Sequence, residues 1–284
     1  MPAICSTVLR HALVATLAAV TCAVAPPVRA ADPDPDPQAS AIWQRVRESL
    51  FQGRTIESDA SAVVALDAPL RAEDASTVPI AIHTRFAQTS SRYVTQVYLV
   101  IDNNPSPIAA VFRFTPDSGR ADIETRVRIE AYTFMRAIAE TNDGKLYMAT
   151  RWVKAAGGCS APAGKDAAAA MANLGRMKMR VDGPVTVGKP VQAQLMISHP
   201  NSSGLAMDQV TRLYRPPYFV RKVSVSYAGR VVLEADVDFS ISENPNFRFF
   251  FVPAGEGELQ AQVVDSKDLS YQERLQIRPS GGSS

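Results

Sequence analysis

From about Ser61 onward, apolar and polar side chains alternate with a period of two, in short runs rich in Val, Ile, Tyr, Phe and Thr. The runs "YVTQVYLVID", "PIAAVFRF", "DIETRVRIEAYTFMRAIAE" and "KLYMATRWV" are divided by "NNPSP", "PDSGR" and "NDGK", which carry the residues tight turns require. This pattern predicts an antiparallel β domain. Further along, "KVSVSY" and "RVVLEADVDFSIS" flank Ala228 and Gly229, the signature of a hairpin. Strict alternation there places Val231, Leu233, Ala235, Val237, Phe239 and Ile241 on a core face, with Arg230, Glu234, Asp236, Asp238 and Ser240 facing water.

Ahead of the strands the period changes. In "SAIWQRVRESLF", Ile42, Val46 and Leu50 recur at helical spacing beside Trp43, predicting one amphipathic helix. Before it, the alternating Asp and Pro of "ADPDPDPQAS" predict an extended spacer over 31–39. Residues 1–30 have a basic start, an apolar stretch from Ala12 to Ala25 and a small-x-small end at Val28-Arg29-Ala30, the three parts of a cleaved export signal. The expected mature chain begins at Ala31, is soluble and lies in the periplasm.

Two strand-rich blocks emerge, 40–154 and 176–284, the latter with a polar tail. Each approaches the size of a seven-stranded immunoglobulin-like sandwich, so the expected fold is all-β with two such domains. An Asn-Pro element precedes a Phe-bearing strand in both, in "DNNPSPIAAVFRF" and "SENPNFRFFF", a weak sign of duplication. Between the blocks, thirteen of the twenty-one residues 155–175 are Ala or Gly. That composition predicts a loop followed by a short helix, with Asp166 as N-cap and Gly175 as its left-handed stop.

Composition narrows the chemistry. Without residues 1–30 the chain loses Arg10 and Arg29 from its 30 basic residues and none of its 28 acids, leaving 28 against 28. That balance argues against nucleic acid as a partner. Only His83 and His199 remain, so a multi-histidine metal site is excluded, and no residue pattern calls for a cofactor. His199, before Pro200, reads as a structural turn because no acid or nucleophile stands near it in sequence. Arg126 and Arg128 share one strand face and could meet an anionic cargo or an acidic partner, but such a pair is more often a solvated sheet face, and that is the expectation.

One cysteine remains, Cys159, within "KAAGGCSAPAGK". A lone cysteine in an exported chain is a reactive thiol, an intermolecular bond or a buried hydrophobe. Gly157, Gly158, Ser160 and Pro162 offer little packing, Gly157 and Gly158 give backbone freedom, and Lys154 and Lys165 flank the loop as groups that could favour the thiolate. The expectation is an exposed, reactive tether.

"VPIAI", "DNNPSPIAAVFRF", "ETRVRIEAYTFMRAIAETNDGKLYMA" and "GGC" resemble the Y subunit of the Sox sulfur-oxidation carrier. "MKMRVDGPVTVGKPVQAQLMISHPNSSG" and the segment from Arg221 to Asp268 resemble its Z subunit. The chain thus resembles a fused SoxYZ-like carrier of the kind associated with quinoprotein dehydrogenases. The resemblance implies a protein without catalysis of its own, whose Cys159 covalently holds sulfur intermediates on an arm freed by Gly157 and Gly158. It implies periplasmic redox or sulfur-oxidation enzymes as partners, of cytochrome or quinoprotein type, and a reactive thiol could also link two copies through Cys159. The alternative expectation is an assembly partner of a quinoprotein dehydrogenase or its cytochrome, with the thiol incidental. In the separate Y subunit the cysteine is almost the last residue, whereas here Ser160, Ala161 and Pro162 follow and the chain continues.

Overall fold

The computed structural model describes residues 35–58, 60–162, 171–208 and 211–279. The expected signal segment, residues 31–34 of the spacer, Lys165 and the start of the linker helix lie outside the described residues. The first half holds helix α1 (Ala41–Phe51) and strands β1 (Ile56–Glu57), β2 (Val64–Asp67), β3 (Val78–Thr84), β4 (Val94–Ile101), β5 (Ile108–Phe114), β6 (Ile123–Val127), β7 (Thr133–Thr141) and β8 (Leu146–Val153). The second holds β9 (Met177–Asp182), β10 (Val191–Ile197), β11 (Val220–Tyr227), β12 (Arg230–Val237), β13 (Asn246–Phe251), β14 (Gly257–Asp265) and β15 (Ser270–Ile277).

Two sheets contain all of these strands, and both run through the two halves. One has the order β1-β8-β7-β4-β5-β12-β11-β14-β15, the other β2-β3-β6-β13-β10-β9. Apart from β1, each half contributes four strands to the first sheet and three to the second in the same chain order, so the second half repeats the plan of the first. The halves meet where equivalent strands pair antiparallel. β5 and β12 match from Phe114 opposite Leu233 to Ala110 opposite Val237, and β6 meets β13 at Glu124 opposite Arg248. Under this seam Phe112 of β5 contacts Phe247 of β13 edge to face, with centroids 6.3 Å apart, and the buried apolar core continues from one half into the other. The expected two-sandwich, all-β class is therefore what the chain adopts.

Helix α1 covers the outer face of the first half's larger sheet. Ser40 caps it by accepting from the Trp43 amide at 3.2 Å. Its buried face centres on Trp43 and Phe51, with Val46 and Leu50 packed at the side, against Val100, Ile138, Leu146 and Met148. The strands beneath are apolar on both faces because both are covered. A buried ion pair fixes the helix entry: Arg136 donates to Asp102 at 2.9 and 2.7 Å and to the Pro37 carbonyl at 2.7 Å, with its guanidinium 4.4 Å from the Trp43 ring. Residues Pro37–Ala39 consequently form a short 3-10 turn, where an extended spacer was expected.

Three other expectations are corrected. The run 122–140 is two strands, since 128–132 crosses from one sheet to the other. β12 stops at Val237, and a bulge opposite Val225 and Ser226 buries Val232 and leaves Val231 40% exposed. The two Asn-Pro elements precede β5 and β13, which are not equivalent strands, so they are no trace of the duplication. At the linker's end Gly175 does adopt the expected left-handed backbone, with φ of 75°.

Separating the halves near Gly175 uncovers the paired edges of β5 and β12 and the apolar surface beneath them. Two such polypeptides are expected to co-elute as a one-to-one complex on size exclusion. Two soluble halves without affinity for each other would contradict a load-sharing seam.

Candidate functional site

Arg128, Ile129 and Glu130 lie on the crossover that leaves β6, and the cysteine segment docks onto it. Gly158 donates its amide to the Ile129 carbonyl and Gly157 to that of Glu130, each at 2.8 Å, while Ile129 donates to Ala75 at 2.8 Å. The Glu130 carboxylate then accepts from the amides of Cys159 and Ser160 at 2.9 and 3.1 Å and from the Ser160 hydroxyl at 2.9 Å. From the second half, the Ser203 hydroxyl donates to the Cys159 carbonyl. Cys159 is 1% exposed, so the expected exposed tether is corrected: the thiol is buried.

In the docked segment the two glycines have different jobs. Gly157 adopts φ of 81° with open space around it, a conformation other residues resist. Gly158 is required by contact, because a Cβ there would fall 2.0 Å from the Ala75 carbonyl oxygen.

Arg128 is buried at the seam, contrary to the solvated face expected of it. Its Nη1 donates to the carbonyls of Asn201, Phe239 and Ile241 at 2.5, 3.1 and 3.0 Å, binding the first half to two loops of the second. Asn104 holds the crossover from below, donating to the Arg128 carbonyl at 2.8 Å and accepting the Glu130 amide at 3.0 Å. Sequence reasoning missed Asn104, Glu130 and Ser203. The only signal for Asn104 was its place in a turn that reads as ordinary loop chemistry.

Cys159 and Arg128 border a cavity of about 250 Å³, closed from the second half by Pro200, Ser203, Ala206 and Tyr218. Burial pushes the thiol up to about 12, the Glu130 carboxylate adds to the rise, and Arg128 opposes it. Of the two lysines expected to favour the thiolate, Lys165 lies outside the described residues. The backbone of Lys154 is bridged to Arg71, and among the described residues the charges acting on the thiol are those of Glu130, Arg128 and Asp238.

His199 is fully buried behind the cavity wall. Its Nδ1 accepts the Asn201 amide at 3.1 Å, so a neutral ring carries its proton on Nε2, which lies 3.7 Å from Asp265. Asp265 also accepts from Tyr218 and Tyr271 at 2.8 and 3.0 Å. An acid does stand beside this histidine, supplied by β14. Burial lowers His199 from 6.5 to about 4, against the pull of Asp265. Among the described residues no helix is long and apolar enough to cross a membrane.

Two β-sandwiches sharing continuous sheets, with one cysteine docked at their seam, define a class of protein with a single protected thiol between paired domains. Residues 47–159 match the family model for the sulfur oxidation protein SoxY, and 179–276 match that for the sulphur oxidation protein SoxZ. The chain belongs to the SoxYZ family, with both domains fused in one polypeptide. Among solved structures, the sulfur carrier protein SoxY from Chlorobium limicola f thiosulfatophilum is 24% identical over 40% of this chain and 90% of its own, with a TM-score of 0.34. Superoxide reductase (neelaredoxin) from Ignicoccus hospitalis is 13% identical over 35% of this chain and 94% of its own, with a TM-score of 0.31. No curated protein matches the chain.

Relative to an ordinary value of 9.0, a thiol at about 12 holds about a thousandfold less thiolate at neutral pH. Native protein should therefore react with a thiol reagent far more slowly than a free thiol does. Glu130→Gln removes a negative charge, and Gly158→Ala dislodges the segment from Ala75; both should accelerate the reaction at least about tenfold without global unfolding. Wild-type reaction at the free-thiol rate would refute the docked arrangement.

The unfolded chain protonates His199 near 6.5 and the folded protein only near about 4. The stabilisation is thus complete above 6.5 and is lost as pH falls through that window, by up to about 3 kcal/mol. Urea unfolding at pH 7 and pH 4.5 should show this loss, and His199→Gln should flatten it.

Proposed function

We propose that this protein is a covalent carrier that holds a sulfur-type intermediate on Cys159 while separate enzymes act on it, in the periplasm after removal of residues 1–30. One observation carries the reading: the only cysteine beyond residue 30 is the last residue of the SoxY match, and it sits at the seam with the SoxZ domain beside a buried arginine and a cavity. A carrier needs one thiol and no catalytic constellation.

The docked state then has a definite role. With the thiol at about 12, only about one molecule in 10⁵ is thiolate at pH 7, so Cys159 is chemically silent while it is docked. Loading requires a partner to release the segment from Glu130 and Ser203 and bring the sulfur into water or its own active site. Joining the thiol to thiosulfate forms a sulfur–sulfur bond, gives a Cys159 thiosulfonate, and releases one proton and two electrons. The electrons pass to a periplasmic redox partner of cytochrome or quinoprotein type. On redocking, the adduct occupies the cavity, where Arg128 offsets its single negative charge and the apolar wall keeps competing thiols away.

Intact mass spectrometry of protein isolated without reductant should show sulfur-containing additions confined to the Cys159 peptide. Cys159→Ser should abolish both the additions and growth on the sulfur substrate while leaving the fold unchanged. A Cys159→Ser strain with full pathway activity would instead establish an assembly role on the sandwich surfaces.

A further inference from the structure

A second cavity, of about 680 Å³, opens on the outer face of the smaller sheet, and its polar lining consists of donors. Arg126 of β6, Lys178 of β9 and Arg176 just before β9 line it together with Ser198, Asn244 and Asn246, and no carboxylate does. The sheet register brings them together. Asn246, Met196 and Lys178 are consecutive partners across β13, β10 and β9, and Arg126 lies two residues along from the Glu124–Arg248 pair. Strands about 4.8 Å apart put the backbones of Arg126 and Lys178 roughly 14 Å from each other, a gap that two long side chains close from either side.

Both asparagines have their acceptor ends committed elsewhere. The backbone amide of His199 donates to Asn244 Oδ1 at 3.2 Å, and this fixes the orientation of that side-chain amide. Arg180 Nε donates to Gln194 Oε1 at 2.6 Å, so the Gln194 amide group must donate to Asn246 Oδ1, which it does at 2.8 Å. Each asparagine therefore keeps its NH₂ group for the cavity. Arg126 donates from Nη2 to the Asn244 carbonyl at 3.1 Å, which holds its guanidinium at the cavity wall, and its Nε is buried without a hydrogen-bond partner. A buried, unsatisfied cationic donor is costly unless an acceptor completes it.

We infer that this cleft binds a small tetrahedral oxoanion of the sulfate, thiosulfate or phosphate class. Two guanidinium groups, an ammonium, two amide NH₂ groups and a hydroxyl match the several outward acceptors of such an ion, and the absence of carboxylates disfavours cations. The cleft shares Arg126 and Asn244 with a third cavity, which reaches Arg128 and Ala161 beside the cysteine segment. The inference rests on this donor set and not on the carrier reading.

The test uses the full protein carrying Cys159→Ala, so that no thiol chemistry contributes, and so that its result stands apart from any result on the carrier reading. Sulfate, thiosulfate and phosphate are titrated by calorimetry against chloride at matched ionic strength. The expected result is saturable one-to-one binding, weakened at least about tenfold by Lys178→Gln and by Arg126→Gln and unchanged by Arg221→Gln on the other sheet. Lys178 is exposed, so its variant keeps the question answerable if Arg126→Gln fails to fold. Absence of saturable binding, or equal loss in all three variants, overturns the site. Binding of a hexaglutamate peptide without binding of any oxoanion also overturns it and makes the cleft a docking face for an acidic protein segment.

Discussion

The pairing of β5 with β12 is the constraint on which the rest of the molecule depends. Two sandwiches of one plan place equivalent strands against each other, so both sheets continue from half to half and one core fills the space between them. Phe112 and Phe247 meet across the seam, which is closed at one end by Arg128, whose Nη1 donates to three carbonyls of the second half. That arginine is the point at which fold and site become the same object. Removing it would leave the carbonyls of Asn201, Phe239 and Ile241 without their donor and would withdraw a positive charge that opposes the rise of the thiol.

The cysteine segment is held by groups from both halves, which ties exposure of the thiol to rearrangement at the junction. Glu130 engages three donors and raises the thiol at the same time, so a single carboxylate both closes the loop and suppresses its reactivity. A resting carrier needs both effects. An exposed thiolate would be open to oxidation or to disulfide exchange, whereas a docked neutral thiol is protected; on the proposed reading a partner releases it by providing better hydrogen-bonding groups than Glu130 and Ser203.

Much of the architecture was legible in the sequence because it is local. The helix follows from the spacing of Ile42, Val46 and Leu50, and the strands follow from alternation and turn residues. What could not be read was non-local. The run 122–140 keeps an apolar pattern through the sheet-to-sheet crossover because both ends enter a core, so nothing in the pattern announces the break that places Arg128 and Glu130. Val232 is buried by a bulge that alternation cannot foresee. The neighbours of Cys159 in sequence are small and polar, which correctly says that they cannot bury it. Its burial comes from the crossover near Ala75 and Ile129 and from the second half's Ser203, none adjacent in the chain. Asp265 beside His199 was hidden for the same reason.

The repeated plan also shows why only one half carries the thiol. The crossover from β6 to β7 in the first half contains Arg128 and Glu130, one binding the other half and one clamping the cysteine. Its equivalent in the second half, between β13 and β14, is Val252-Pro-Ala-Gly-Glu256, which has no cation to cross the seam. The first half therefore supplies the clamp, while the loops of the second supply the opposite wall. Fusion places both on one chain, where a tether raises the effective concentration of one domain near the other to roughly the millimolar range, so the pairing no longer depends on protein concentration. The linker that achieves this leaves from the cysteine segment itself, so the thiol cannot be withdrawn as a free end. On the proposed carrier reading it leaves its cleft as a bend held on both sides, and a partner that receives it is open enough to admit two strands of chain.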